Sequence, residues 1–286
     1  DCPRTLASGQ ALFAAMFTES TSHVVAWVTM DRGGDAETIA PNPKVCPALT
    51  AAYVRAEATY QQSAHFLNVS VPLAAQLSIA LNRTVAPGDI GGLLDPLMSV
   101  TCPTVPRVAG GLPPTGLTAD LQRRLAQEAG DALYGVANDS DVARFGAGPL
   151  IGEILVALEE AVLPAATPPP PKFFLWSGHD TGPMAPVLAA LRVGGAEFPR
   201  FNDLLAIELH HLAADGASPP QHAVRLVHNG AVVTDLVPGC PAGGELCPFA
   251  AFHTSAAKLV PTPRECGRDD EPSWWPTPGM LELHLS

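Results

Sequence analysis

Apolar positions along the chain recur at helical spacing in most stretches and as short unbroken runs in a few. Leu6, Phe13 and Phe17, with alanines and a methionine between them, predict a helix over Thr5–Phe17. Val24–Met30 is compact and β-branched and predicts a buried strand. Asp31–Pro43, with Gly33-Gly34 and two prolines, reads as a loop. From Pro47 to Tyr134 the pattern is helical almost throughout and carries no strand signal. Helices are expected over Ala51–Phe66, Pro72–Leu81 and Pro87–Val100, then an irregular Pro/Gly-rich stretch over Pro103–Gly116. Thr118 reads as an N-cap, and Leu121, Leu125, Ala129, Leu133 and Val136 form one stripe of the helix that follows.

The pattern then changes. Pro149–Val162 predicts a helix with Ile151, Ile154, Leu155, Leu158 and Val162 inward, and Ala165–Pro171 reads as a surface proline tract. Lys172–Trp176 reads as a short apolar strand and Pro183–Leu191 as a helix. Leu204–Leu212 and Ala223–His228 read as strands. A turn at Asn229-Gly230 lets Val232–Val237 pair back as a hairpin. Pro248–Lys258 predicts a last helix, and the tail around Trp274-Trp275 reads as irregular and packed. Strand and helix alternate only near the two ends of the chain. This predicts an α/β core from residues 1–30 and 141–270, a mainly helical insert over 31–140 and an irregular tail over 271–286. There is no internal repeat.

Composition narrows the function. Hydrophobic residues are 47% of the chain and charged residues 15%, enough for a substantial core. A net charge of −12 repels phosphate backbones, so nucleic acid is not an expected partner, whereas a small anion at a local positive site is compatible. No apolar run approaches the ~20 residues of a membrane span. The chain starts at Asp1 with no signal region, so either the mature sequence begins there or more chain precedes it. The cysteines Cys2, Cys46, Cys102, Cys240, Cys247 and Cys266 show neither a C-x-x-C pair nor zinc-finger spacing. Together with sequons at Asn68, Asn82 and Asn138, their even number points to the secretory route.

The candidate chemistry lies in Trp176-Ser-Gly-His-Asp-Thr-Gly-Pro183, between an apolar run and a helix start. Ligands of open α/β sheets bind beyond strand ends, and a helix N-terminus offers unpaired N–H groups that suit phosphate. There His179 can donate a hydrogen bond to a phosphoryl oxygen, and Asp180 can hold a proton for a leaving alcohol. Taken alone, such a pair reads most simply as a helix cap with a bystander histidine.

Further stretches change that reading. Ser177-Gly-His-Asp-Thr181 resembles the distal His-Asp motif of the histidine acid phosphatases, clade 2 of the histidine phosphatase superfamily. Asp1-Cys-Pro-Arg-Thr-Leu-Ala-Ser-Gly-Gln10 resembles the end of that family's Arg-Ser-Thr-x-x-x-Arg-Thr segment. Arg144 to Ile154 resembles the helix before the distal strand. Ile207–Leu209 and Val224–Gly230 resemble the closing strands, and Val237–Cys240, Cys247–Phe252 and Cys266 resemble the C-terminal cysteine pattern. These blocks keep the family order from Asp1 to Cys266.

The resemblance implies a three-layer α/β/α core with an inserted, mainly helical lobe. It also implies a secreted, lysosomal or cell-surface hydrolase of small phosphate monoesters that works through a phosphohistidine and uses neither cofactor nor metal. His179 would bind the phosphoryl group and Asp180 would be the proton donor. It further implies the disulfides Cys46–Cys266 and Cys240–Cys247, and leaves a Cys2–Cys102 bond open.

The sequence departs from the family in two ways. It holds no Arg-His-Gly-x-Arg-x-Pro string, so the nucleophile segment is expected to lie outside these residues and the chain alone to be inactive. A non-catalytic relative kept for binding or structure is the alternative, and the upstream coding sequence distinguishes the two. Gly182 stands where the family usually has Thr, which predicts a looser helix start. Arg4 matches the later arginine of the N-terminal segment, for which a structural role is expected. Glu208, His210 and His211 lack a convincing third metal ligand and are expected to be structural. Gly110–Gly116 lacks the Gly-Lys-Ser/Thr of a phosphate loop.

Overall fold

The computed structural model describes residues 3–18, 27, 29, 34–101, 116–163, 170–195, 197–213 and 221–279. The expected strand Val24–Met30 lies outside them except for Trp27 and Thr29, as do Cys2, Cys102, most of Pro103–Gly116 and most of the proline tract. Among the described residues, no single helix is long and apolar enough to cross a membrane.

Eight helices are described: α1 (Pro3–Met16), α2 (Ala48–Gln61), α3 (Val71–Leu81), α4 (Leu94–Thr101), α5 (Ala119–Ala137), α6 (Ser140–Val162), α7 (Met184–Ala190) and α8 (Phe249–Ala257). Thr118 caps α5, its hydroxyl accepting from Leu121 N at 3.3 Å, and Leu121, Leu125 and Ala129 are buried beneath it. The expected helix over Ala51–Phe66 instead starts at Ala48 and ends at Gln61, and a π-helical turn over Phe66–Ser70 then leads into α3. Pro87–Val100 is helical only from Leu94. Before it come two 3-10 turns, where Gly88, Gly91 and Gly92 leave the backbone poorly specified.

α6 begins nine residues before Pro149. Asp139 caps it, Oδ1 accepting from Asp141 N (3.0 Å) and Val142 N (3.2 Å). Pro149 therefore sits inside a helix, a position it normally weakens. Packing offsets this, because α6 is buried along Ala147–Gly152 and lies directly on the C-terminal segment. A Cβ on Gly148 would come 2.2 Å from Leu259 O, and one on Gly152 would come 2.8 Å from Pro276.

The sheet is antiparallel. β1 (Leu205–Leu212) pairs with β2 (Gln221–His228) from Leu205↔His228 to Leu212↔Gln221. Asn229 (φ 50°) and Gly230 (φ 83°) turn the chain into β3 (Ala231–Val232), and β4 (Cys247–Pro248) also pairs with β2. Of the expected strand Val232–Val237 only Val232 belongs to β3. Beyond it Thr234 takes over the ladder, its Oγ1 accepting from Leu226 N at 2.9 Å.

The expected strand Lys172–Trp176 is not one. Its apolar side chains pack in an aromatic group rather than a ladder, with Phe17–Phe173 centroids 5.3 Å apart and Phe174–Trp176 stacked at 5.6 Å.

α6, α7, β2 and α8 enclose one core, built on Leu150, Leu155, Leu188, Leu191, Leu226 and Phe252. Leu73, Leu77, Ile90, Leu94, Leu121 and Leu125 build a second among α3, α4 and α5. Tyr134 of α5 packs on Ala185 and Ala189 of α7 between them. Both expected disulfides are present. Cys46–Cys266 joins the start of α2 to the segment after α8, beside buried Leu49 and Trp275. Cys240–Cys247 closes a short loop that brings β4 onto β2.

Candidate active site

The His179-Asp180 turn is placed by packing against α1 and against residues 38–41. Ser177 Oγ donates to Thr5 O at 2.6 Å. Gly9 allows that approach, since a Cβ there would lie 3.1 Å from Ser177 Cβ. Gly178 permits the turn itself, because a Cβ would come 2.0 Å from Pro183 Cδ. The turn closes through His179 N donating to Gly182 O (2.7 Å) and Gly182 N to His179 O (3.3 Å), and the Gly182–Pro183 peptide is cis. Gly182 is buried under Ala40 and Pro41, where a Cβ would come 2.8 Å from Pro41 Cδ. The glycine in place of Thr thus fits a tight seat, and the expected loosening is not seen.

Most of the N–H groups expected to be unpaired at this helix start are bonded. Met184 N donates to His179 O (3.2 Å), Ala185 N to Asp180 O (2.8 Å) and Thr181 N to Asp180 Oδ1 (2.7 Å). Pro183 and Pro186 have no N–H to offer. The turn consumes most of its own donors, so positive character comes chiefly from side chains. Arg4, in the first turn of α1, provides it, its Nη2 lying 3.4 Å from His179 Nδ1. A guanidinium only donates, so Nδ1 is the acceptor and Nε2 carries the ring proton. His179 and Asp180 are both half-buried, and Arg4 is exposed.

A carboxylate pair backs this arrangement. Glu153 on α6 accepts from Thr38 Oγ1 at 2.5 Å and hydrogen-bonds Trp176. Burial pushes its pKa up and nearby Glu37 adds to the rise, while the Thr38 and Trp176 bonds oppose it. Glu37 is buried and accepts from Ala40 N at 2.8 Å, bracing the segment over Gly182. Arg4, Glu37, Thr38 and Glu153 were not singled out from sequence as site residues. The only signal was that Arg4 and Glu153 fall within blocks carrying the resemblance.

The other candidates are engaged elsewhere. Glu208 Oε2 accepts from Arg225 Nε (2.7 Å) and contacts His210 Nε2 (3.0 Å), and its pKa is lowered chiefly by Arg225. His211 faces His222 across the strands. Trp275 is buried, its indole donating to Pro261 O at 3.0 Å, and Arg268 lies over Trp274. A groove lined by Leu94, Met98, Arg123, Phe198 and Arg200 includes no residue of the turn.

No family model matches the chain. Parts of it are similar to curated proteins named 2-phosphoxylose phosphatase 1. That of Rattus norvegicus is 36% identical over 89 residues, 31% of this chain and 17% of the relative. That of Homo sapiens is 44% identical over 62 residues, 22% and 12% respectively. That of Xenopus tropicalis is 36% identical over 91 residues, 30% and 17%. The aligned stretches thus span about a sixth or less of these relatives.

Proposed function

We propose that this chain is the larger part of a histidine-acid-phosphatase-like hydrolase of small phosphate monoesters, with a three-layer α/β/α core. One observation carries the reading. The His179-Asp180 turn juxtaposes an imidazole, a carboxyl group and the Arg4 guanidinium. Local similarity to phosphatases supports it. In this mechanism His179 Nε2–H donates to a non-bridging phosphoryl oxygen. A nucleophilic histidine forms a P–N bond as the P–O ester bond breaks, and Asp180 gives its proton to the departing alkoxide. Water then attacks the phosphohistidine, returning its proton to Asp180. Arg4 holds Nδ1 as acceptor and so keeps Nε2–H as donor. The two disulfides support passage through the secretory pathway.

The nucleophile lies beyond these groups. Among the described residues the remaining histidines are committed elsewhere. His65 is held by Glu128, His210 by Glu208, His228 by Asp203 and His253 by Glu159, and His211 faces His222. With these histidines engaged and no Arg-His-Gly-x-Arg-x-Pro string in the sequence, the purified 286-residue chain is expected not to hydrolyse an aryl phosphate at acid pH. In a protein extended upstream to include an Arg-His-Gly segment, Asp180→Asn is expected to slow turnover by roughly 10²–10⁴-fold. The loss should be larger for alkyl than for aryl phosphates, because a poor leaving group needs the proton more. Equal losses on both would remove Asp180 from the acid role, and robust hydrolysis by the 286 residues alone would overturn the assignment of an external nucleophile.

A further inference from the structure

We propose that His65, Glu128 and Asp131 bind one divalent transition-metal ion, Zn2+ by their ligand chemistry, in the helical part of the fold. The inference is independent of the His179 turn. Glu128 and Asp131 stand one turn apart on α5 and so share a face. His65 comes from the short connection between α2 and the π-helical turn. The three residues bring one ligand atom each to within 4.8 Å of one another. His65 Nε2 is 2.8 Å from Glu128 Oε2 and 3.8 Å from Asp131 Oδ2. A tetrahedral ion with bonds of ~2.0–2.1 Å sets its ligands ~3.3 Å apart, and the two spacings bracket that value. Shifts of about half an ångström bring both of these spacings to it.

The second half of the argument is how Glu128 is held. Its carboxylate is 2% exposed, so its charge needs a positive counterpart. Oε1 is occupied by two neutral donors, Tyr60 OH (3.0 Å) and Ser70 Oγ (2.5 Å). These hydroxyls fix the carboxylate plane and leave Oε2 aimed at His65, the outer-shell arrangement that orients metal ligands. Two carboxylates and one imidazole leave the cluster net negative when the imidazole is neutral, which suits a dication. One nitrogen with two oxygens suits Zn2+ better than Mg2+ or Ca2+, which take oxygen alone. The His65 side chain is 37% exposed, which provides an entry path and room for a water as fourth ligand. A bound ion would clamp α5 to the α2–α3 connection.

The test uses the whole 286-residue chain, disulfides intact, stripped with a chelator and titrated with Zn2+ by calorimetry. One equivalent should bind, weakened roughly tenfold or more by His65→Ala and by Asp131→Asn. The double variant His211→Ala/His222→Ala should bind as the unaltered chain does, since that pair is the competing imidazole site. Both test positions are partly exposed, so folding should survive the changes. Co2+ read by visible absorption should give an intense four-coordinate spectrum that His65→Ala abolishes. Absence of saturable binding, or binding that survives His65→Ala and Asp131→Asn, would overturn the site.

Discussion

At the scale of single residues, the turn around His179 depends on which atoms are absent as much as on which are present. Gly9, Gly178 and Gly182 each remove a Cβ that would strike Ser177, Pro183 or Pro41. Glu153 raises a different question, because a half-buried carboxylate beside the site is costly when ionised. Its folded-state pKa lies above the ordinary 4.5, so the native state is penalised as pH rises through that value, and the penalty is absent below it. Glu153→Gln keeps an acceptor for Thr38 and removes the charge. The variant should be more stable than the parent at pH 7, with the difference vanishing below about pH 4.5. Urea unfolding at the two pH values measures this, and equal destabilisation at both would mean that shape rather than charge matters at Glu153. His179 and Asp180 stand out as candidates in the sequence because their motif is local. The Arg4 contact spans 175 positions, and the seat of Gly182 under Pro41 spans a comparable distance, so neither left a local trace.

At the scale of elements, legibility followed whether an element carries its own boundary signals. Thr118 before an amphipathic stripe and Asn229-Gly230 between two runs are such signals, and the structure has the expected cap and turn. Lys172–Trp176 carried only hydrophobicity, which serves aromatic packing as readily as strand pairing. The start of α6 was hidden because Pro149 is a strong start signal and Asp139 a weaker one, and tertiary packing decided between them. Asp139 therefore bears more of the helix's definition than a typical cap, since Pro149 removes one interior hydrogen bond downstream. Asp139→Ala should destabilise the protein by about 1.5–2 kcal/mol, at the upper part of the usual range. The change in urea midpoint at constant slope reads it out, and no change would mean that packing on α2 and α7 alone sets where α6 begins.

At the scale of the molecule, the segment after α8 is fastened back to the start of the helical part at several points. Arg144 of α6 holds Glu265 at 2.7 Å and, with Thr262, lowers its pKa to about 2. Arg268 donates to Lys44 O at 2.9 Å, and Ala48 N donates to Cys266 O at 3.0 Å. The Cys46–Cys266 bond lies among these contacts and closes a loop 220 residues apart in sequence, whereas Cys240–Cys247 spans 7. In the chain-entropy account the cost that a cross-link removes from the unfolded state grows with the logarithm of loop length. The long loop is then worth about 5 kcal/mol and the short one about 2.5 kcal/mol before native-state effects. The polar fastenings around Cys266 each keep a carboxylate partner open to solvent and contribute little, so they cannot replace the bond. Cys46→Ser/Cys266→Ser should therefore lower unfolding stability by several kcal/mol, clearly more than Cys240→Ser/Cys247→Ser, with guanidinium unfolding of both double variants as the measurement. The two losses reflect different places in the fold. The first frees the C-terminal segment from α2 and α6, while the second loosens only β4 on the edge of β2. If the short-loop variant proved the more damaging, the sheet edge and not the α2–C-terminal junction would be where this fold is held closed.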